Sequence, residues 1–209
     1  MTVVGTSVFH THLAQRQDVS SSLAIAPTTT LPQRFCVKGN IIVTDICLSG
    51  ELCVYSDFAQ DCYNSSGQST YNNDPWIGSS KFPISHTKNK FTAIGCDTYA
   101  LIKGFRGTAY TTGCMSLCDT ISDVVEGSCS GIGCCQTAIP KGVMDYRIDV
   151  SSYSNHTNVY EFNHCSYAFG AEEETNNFSS KDLKDFTKTH EKTQVVLNWA
   201  IRNQTCSES

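Results

Sequence analysis

From Phe35 onward the chain alternates short runs of β-branched and aromatic residues with polar, turn-forming stretches. Ile41, Ile42, Val43 and Ile46 make one run and Leu52, Val54 and Tyr55 the next. Ser49-Gly50 between them completes a strand-turn-strand signal. Further strands are expected over 91–94, 99–102, 146–150, 159–162, 167–169 and 195–201. Asn64-Ser65-Ser66-Gly67 and Asn72-Asn73-Asp74-Pro75 read as loops, because these residues bond their own backbone or set turn dihedrals. One short helix is expected over 180–187, with Ser180 as cap and Leu183 and Phe186 on one face. The pattern therefore predicts a β-rich domain with short helices and long loops. Before residue 36 it fades: Ser20 to Ser22 and Thr28 to Thr30 between Pro27 and Pro32 suggest a loose tail over 1–35.

Composition adds a second constraint. Twelve cysteines in 209 residues are far more than an ordinary cytosolic domain carries, and the even number suits a fully paired set. The expectation is an oxidising compartment and a disulfide-stapled fold. Cys134 and Cys135 are adjacent, and on an extended segment their side chains point to opposite faces, so each should bridge to a different partner. Spacing alone leaves the connectivity open. The net charge is −5, from 15 Lys+Arg against 20 Asp+Glu, which argues against a nucleic-acid partner. With 17% charged and 40% hydrophobic residues the chain is neither disordered nor coiled-coil-like. Neither a basic, apolar leader nor a run of about 20 apolar residues is legible. A cysteine-rich chain without an export signal is expected to be a fragment or the product of a misassigned first exon.

Several motifs are specific. Asn89-Lys90-Phe91-Thr92-Ala93-Ile94-Gly95-Cys96-Asp97-Thr98, Gly113-Cys114-Met115-Ser116-Leu117-Cys118, and the stretch from Gly127 through Cys129, Cys134 and Cys135 to Pro140 resemble the extracellular region of plant wall-associated receptor kinases. Upstream, Val43-Thr44-Asp45-Ile46 and Asp61-Cys62-Tyr63-Asn64 are similar to that family's segments. Downstream, Phe162 to Phe169, Leu197 to Ile201 and Cys206 are similar to its closing ones. The resemblance covers about residues 37–206. It implies a division into a tail over 1–35, a remnant of a galacturonan-binding module over 36–95, and a cysteine-rich domain over 96–209. It also implies that Cys62, Cys96, Cys114, Cys118, Cys129, Cys134, Cys135, Cys165 and Cys206 form disulfides. Cys36, Cys47 and Cys53 depart from the family pattern, and the Cys-Gly and Ile-Pro-Tyr-Pro-Phe-Gly motifs that open the family's module are missing. No set of kinase motifs is present, so the chain is not expected to be a kinase.

Candidate chemistry is sparse. Gly127-Ser128-Cys129-Ser130-Gly131 fits a nucleophile-elbow pattern, but no helix can follow it before Pro140, so a disulfide-pinned turn is the better reading. Gly127, Gly131 and Gly133 lack the order and lysine of a phosphate-binding loop. Cys114, Cys118, Cys129 and Cys134 could be arranged as a zinc site, but the loose spacings and leftover cysteines favour disulfides. The six histidines form no ligand motif, Glu172-Glu173-Glu174 reads as a solvated loop, and neither cofactor nor metal is expected. Four glycosylation sequons begin at Asn64, Asn155, Asn177 and Asn203. Between positions 81 and 106, Lys81, Lys88, Lys90, Lys103 and Arg106 face only Asp97 as counter-charge. Such cations could hold successive carboxylates of a polyanion, with Trp76, Phe82 or Tyr99 offering an apolar face to a sugar ring.

The resemblance implies a non-catalytic ectodomain at the outer face of the plasma membrane that binds cell-wall pectin and oligogalacturonides. The alternative is a protein-interaction module that binds a secreted peptide or a receptor kinase and has no polysaccharide affinity.

Overall fold

The computed structural model describes residues 24–26, 34–37, 41–47, 50–173 and 177–199. The chain divides into two compact units, residues 1–43 and 44–209. In the first, β1 (Ala24–Ala26) pairs antiparallel with β2 (Arg34–Val37), and β2 with the start of β3 (Ile41–Cys47). The rest of the expected tail, residues 1–23 and 27–33, lies outside the described residues.

The second unit is built from antiparallel strands. A four-stranded sheet has the order β10-β9-β12-β7, from β7 (Trp76–Gly78), β9 (Asp97–Gly104), β10 (Tyr110–Leu117) and β12 (Asp145–Ser152). A five-stranded sheet has the order β11-β8-β13-β5-β6, from β5 (Ala59–Tyr63), β6 (Ser69–Asn73), β8 (Asn89–Ile94), β11 (Cys134–Ala138) and β13 (Cys165–Glu172). A further pair joins β4 (Glu51–Ser56) to β14 (Thr193–Asn198). Strands from both expected segments, 36–95 and 96–209, thus share the same sheets.

The sequence of β12 shows why one sheet is wet on one side. Tyr146, Ile148 and Val150 point inward and are buried, while Arg147, Asp149 and Ser151 alternate with them on the outer face. β13 is different, for its residues from Ser166 to Ala171 are all buried. One face meets the four-stranded sheet, where the Ser166 hydroxyl lies 2.7 Å from that of Thr98 on β9. Gly170 sits beneath the ring of Tyr146, and a β-carbon there would fall 2.8 Å from the ring carbon Cζ, so only glycine allows the sheets to approach this closely.

The other face of β13, Tyr167, Phe169 and Ala171, is covered by a short helix α1 (Asp182–Asp185) and the 3-10 turn Phe186–Lys188 that continues it. Phe186 is the centre of this layer: its ring centroid lies 5.1 Å from Phe58, 5.2 Å from Tyr167 and Phe169, and 4.2 Å from His190. Leu183 and Phe186 share the buried face that the sequence predicted for this helix. Asn89 ties β14 to β8: its amide donates to the Val196 carbonyl at 2.8 Å and its oxygen accepts from the Val196 N–H at 2.9 Å.

Three sequence expectations fail. Ser180 does not cap the short helix, whose N-cap is Lys181, because the Ser180 hydroxyl bonds the Glu126 carboxylate instead. Residues 159–162 form successive turns, with Phe162 N–H and Asn163 N–H both bonded to the Val159 carbonyl. The apolar pair there, Val159 and Phe162, matches the spacing of a turn as well as that of a strand. Asn72 and Asn73, expected in a loop, end β6 instead, because the Asn72 amide bonds the buried Asp61 carboxylate and the Asn73 amide bonds the Phe58 carbonyl. These side-chain bonds anchor an otherwise polar edge strand. Residues 200–201 of the expected last strand lie outside the described residues.

Candidate functional site

Four disulfides hold the second unit among the described residues. Cys62–Cys165 crosslinks directly opposite residues of β5 and β13, and Cys96–Cys118 closes the turn between β8 and β9 onto the end of β10. Cys114–Cys135 links β10 to β11, while Cys129–Cys134 closes a turn of sequence separation 5. Cys134 and Cys135 thus bridge to different partners, as strand alternation requires. Cys129, the nucleophile of the elbow pattern, is in a disulfide, and so is every cysteine of the hypothetical zinc set. No group of three or more His, Cys, Asp or Glu side chains among the described residues could hold a metal ion. Cys53 is buried, and Cys206 lies outside the described residues.

A serine–histidine pair also occurs, but as part of the core. His156 and Ser166 are both fully buried. His156 Nδ1 lies 3.1 Å from the Asn163 carbonyl, which can only accept, so Nδ1 carries the proton and Nε2 accepts from the Ser166 hydroxyl at 2.9 Å. Burial pushes the His156 pKa below its ordinary value, outweighing the pull of Asp97. No substrate can reach this pair, and its hydrogen bonds serve to join the 153–163 loop to β13.

The candidate site is the outward face of the four-stranded sheet. The registers place Trp76, Arg147, Lys103 and Thr111 in one row across it, Asp149, Leu101 and Gly113 in the next, and Ser151, Tyr99 and Met115 in the third. Trp76 is 55% exposed and Tyr153, beside the third row, is 56% exposed. The Tyr99 and Tyr153 rings lie 4.8 Å apart, and the Tyr153 hydroxyl is 3.1 Å from the Met115 sulfur. At the other end, the Arg106 guanidinium carbon stands 5.3 Å from the Trp76 ring centroid, a cation–π contact. Gly78 makes room for this arrangement, since a β-carbon there would meet Trp76 Cζ2 at 2.6 Å and Arg106 Nη2 at 2.8 Å. The face offers apolar rings at both ends with polar groups between them.

The charges on this face are paired. Asp74, Arg147, Asp149 and Lys103 form a continuous ladder of ion pairs, closed by Arg147 Nε to Asp149 at 3.8 Å. Arg106 donates to Asp145 at 2.8 Å, and the same carboxylate accepts the Phe105 and Arg106 backbone N–H groups at 2.9 and 2.8 Å. Burial pushes the Asp145 pKa up, but the hydrogen bonds and charge of Arg106 and the two N–H groups more than offset it and hold the carboxyl below its usual range.

The five bases singled out in the sequence are therefore dispersed. Lys103 and Arg106 lie on the outward face, whereas Lys90 is on β8 of the other sheet, 3.8 Å from Glu173. Lys81 and Lys88 occupy the connection between β7 and β8. Of the three aromatics, Trp76 and Tyr99 are on the face, while Phe82 is half-buried in the same connection as Lys81. Arg147, Leu101, Met115 and Tyr153 join the face without having been singled out. The alternation of 146–151 already put Arg147 and Asp149 on one side; what the sequence could not show was the pairing of β12 with β9. Among the sequons, Asn64 and Asn155 lie in turns, Asn155 with φ 51°, Asn177 is exposed, and Asn203 lies outside the described residues.

Residues 126–207 match the family model described as wall-associated kinase. The chain is 37% identical over 172 residues to wall-associated receptor kinase 2 of Arabidopsis thaliana, which covers 81% of the chain and 23% of that protein. It is 38% identical over 175 residues to wall-associated receptor kinase 5 (82% and 23%) and 34% identical over 195 residues to wall-associated receptor kinase 3 (87% and 26%), both of the same plant. The chain thus spans about a quarter of the length of these relatives. No solved structure matches it. With the matched domain, these relatives and a disulfide-stapled, β-rich fold, the chain belongs to the wall-associated receptor kinases and corresponds to their extracellular region.

Proposed function

We propose that this ectodomain binds pectic galacturonan of the cell wall at the outer face of the plasma membrane, and acts by binding rather than by catalysis. The observation that supports the reading is the outward face of the four-stranded sheet, where Trp76, Tyr99 and Tyr153 stand exposed beside Lys103, Arg106 and Arg147. Rings that present a flat apolar face stack on the C–H side of a pyranose, while charged groups between them bond its hydroxyl and carboxyl oxygens. Titration of the non-reduced chain with defined oligogalacturonides, at low and physiological salt and with and without calcium, tests it. Saturable binding that weakens in Trp76→Ala supports the reading, and absence of binding by a folded sample ends it.

A protein partner is the second reading, favoured by Leu117, Ile121, Val125 and Ile132. Leu117 ends β10, while Ile121, Val125 and Ile132 follow it in the disulfide-bonded stretch up to β11, and all four aliphatic side chains are exposed. Exposed aliphatic side chains of this kind suit an apolar peptide surface better than a sugar.

A further inference from the structure

We infer that the stretch from the end of β10 to the start of β11 is a docking surface for a cationic, aliphatic-rich peptide segment of another protein. This rests on the protein-partner reading above and names the chemistry of the partner. Backbone contacts gather the exposed aliphatic residues of the stretch. The Leu117 N–H donates to the Gly131 carbonyl at 3.1 Å, which sets Leu117 beside Ile132. A β-carbon on Gly133 would lie 3.1 Å from both methyl groups of Val124, so the Val124-Val125 segment comes up to Ile132-Gly133. The Val124 N–H in turn reaches the Ile121 carbonyl at 3.3 Å. On this knot of backbone Leu117 and Ile121 are each 46% exposed, Val125 60% and Ile132 42%. The disulfides Cys96–Cys118 and Cys129–Cys134 fasten it, so the side chains are held in place before a partner arrives and little ordering is lost on binding.

Charge decides which partner fits. From Met115 to Gly133 the chain carries Asp119, Asp123 and Glu126 and no Lys or Arg. All three acids are exposed, and none forms an ion pair among the described residues. Hydrogen bonds from Ser180 hold the Glu126 carboxyl below its usual range, with a smaller pull from Lys181 through space, while Asp119 and Asp123 stay unbalanced. The outward face of the four-stranded sheet is different, for each of its carboxylates is matched by a cation. An apolar surface with an uncompensated negative rim is complementary to lysine and arginine set among aliphatic residues. A second copy of this chain fits worse, because a two-fold contact would set the same three acids against themselves.

The test titrates the full, non-reduced chain with three synthetic peptides of equal length and equal leucine content, whose remaining residues are Lys, Gln or Glu. Expected is binding of the Lys peptide about tenfold tighter than the Gln peptide, weakened at high salt, and no binding of the Glu peptide. Val125→Ser and Ile132→Ser should each lower affinity for the Lys peptide several-fold. Asp119→Asn should lower it to a smaller extent and leave the Gln peptide unaffected, while circular dichroism shows an unchanged fold in all three variants. Equal binding of the Lys and Gln peptides, lost in Ile132→Ser, would overturn the inference and leave the protein-partner reading intact. Binding of the Lys peptide that Val125→Ser and Ile132→Ser do not alter is general attraction to an acidic chain and overturns the inference, as does self-association in sedimentation that Ile132→Ser abolishes. Binding of none of the three peptides overturns both.

Discussion

The two sheets of the second unit use the same strand chemistry to opposite ends. In the five-stranded sheet, β13 has given up alternation: Tyr167 and Phe169 fill one side, Ser166, Ala168 and Gly170 the other, and both are buried. In the four-stranded sheet, β9 and β12 keep strict alternation and present Tyr99, Leu101, Lys103, Arg147 and Asp149 to solvent. The first sheet is therefore where stability resides, and the second is where side chains can change without endangering the fold. That division of labour orders the expected effects of mutation.

The largest effect should come from the crosslink in the buried sheet. Cys62–Cys165 joins residues 103 apart in sequence, so its loss releases a long loop in the unfolded chain, worth about 4 to 5 kcal/mol on the chain-entropy view. Cys129–Cys134, with a separation of 5, should contribute only about 2 kcal/mol. Replacing each pair by alanine and comparing urea midpoints checks the ordering; equal losses would contradict it. Next comes Phe186→Ala, which empties the centre of a ring cluster and should cost about 3 to 5 kcal/mol. Trp76→Ala, on the open face, should shift the same midpoint by far less while weakening glycan binding several-fold. A Trp76 variant as unstable as the Phe186 variant would erase the contrast between the sheets.

How much of this was legible in the sequence depends on whether a local pattern or a distant pairing was needed. Tyr146-Arg147-Ile148-Asp149-Val150 declares its strand, its buried side and its polar side, and the adjacency of Cys134 and Cys135 declares divergent bridges. The strands at 69–73 and 110–117 were not legible. Ser69 to Asn73 is wholly polar and is held by bonds to Asp61 and Phe58, and Tyr110 to Leu117 mixes glycine, threonine and cysteine without a clear period. The candidate face suffered from the same limit. A run of bases between 81 and 106 looked like one cationic patch, yet Asp145 and Asp149 approach from β12, about 40 residues further on, and neutralise its part of the face. Charge counted along the chain missed charge delivered across the sheet.

Acid should affect the two sheets in sequence. His156, behind β13, is held neutral by burial, so below about pH 6.5 the unfolded chain takes up a proton that the folded one refuses. Its contribution is full above that pH and is lost as pH falls from there towards the lowered folded pKa. Asp145, under the open face, has a folded pKa below its ordinary 3.8, so its contribution is full above that value and is lost only as pH falls through the lower one. Denaturant midpoints measured from pH 8 to pH 3 should therefore fall first below 6.5 and again near the acid limit. Replacing Asp145 with Ala, which leaves two backbone N–H groups and Arg106 without their acceptor, should cost about 2 kcal/mol at pH 7 and make the second fall smaller.

The smallest effect on stability should come from the ladder itself. Lys103 and Asp149 are each about a third exposed, at 35% and 34% of their side chains, and pairs in that setting contribute about 0 to 1 kcal/mol. A double-mutant cycle with Lys103→Met and Asp149→Asn, read from urea midpoints, should return a coupling within that range, and smaller still at high salt. The same cycle read from ligand affinity should give a larger figure, because either single change leaves an unbalanced charge on a surface that otherwise has none. A coupling of several kcal/mol in stability would mean that the ladder is there to hold β9 against β12. A coupling seen mainly in affinity would mean that four charged residues are kept on an exposed sheet for the charge balance they present to a ligand.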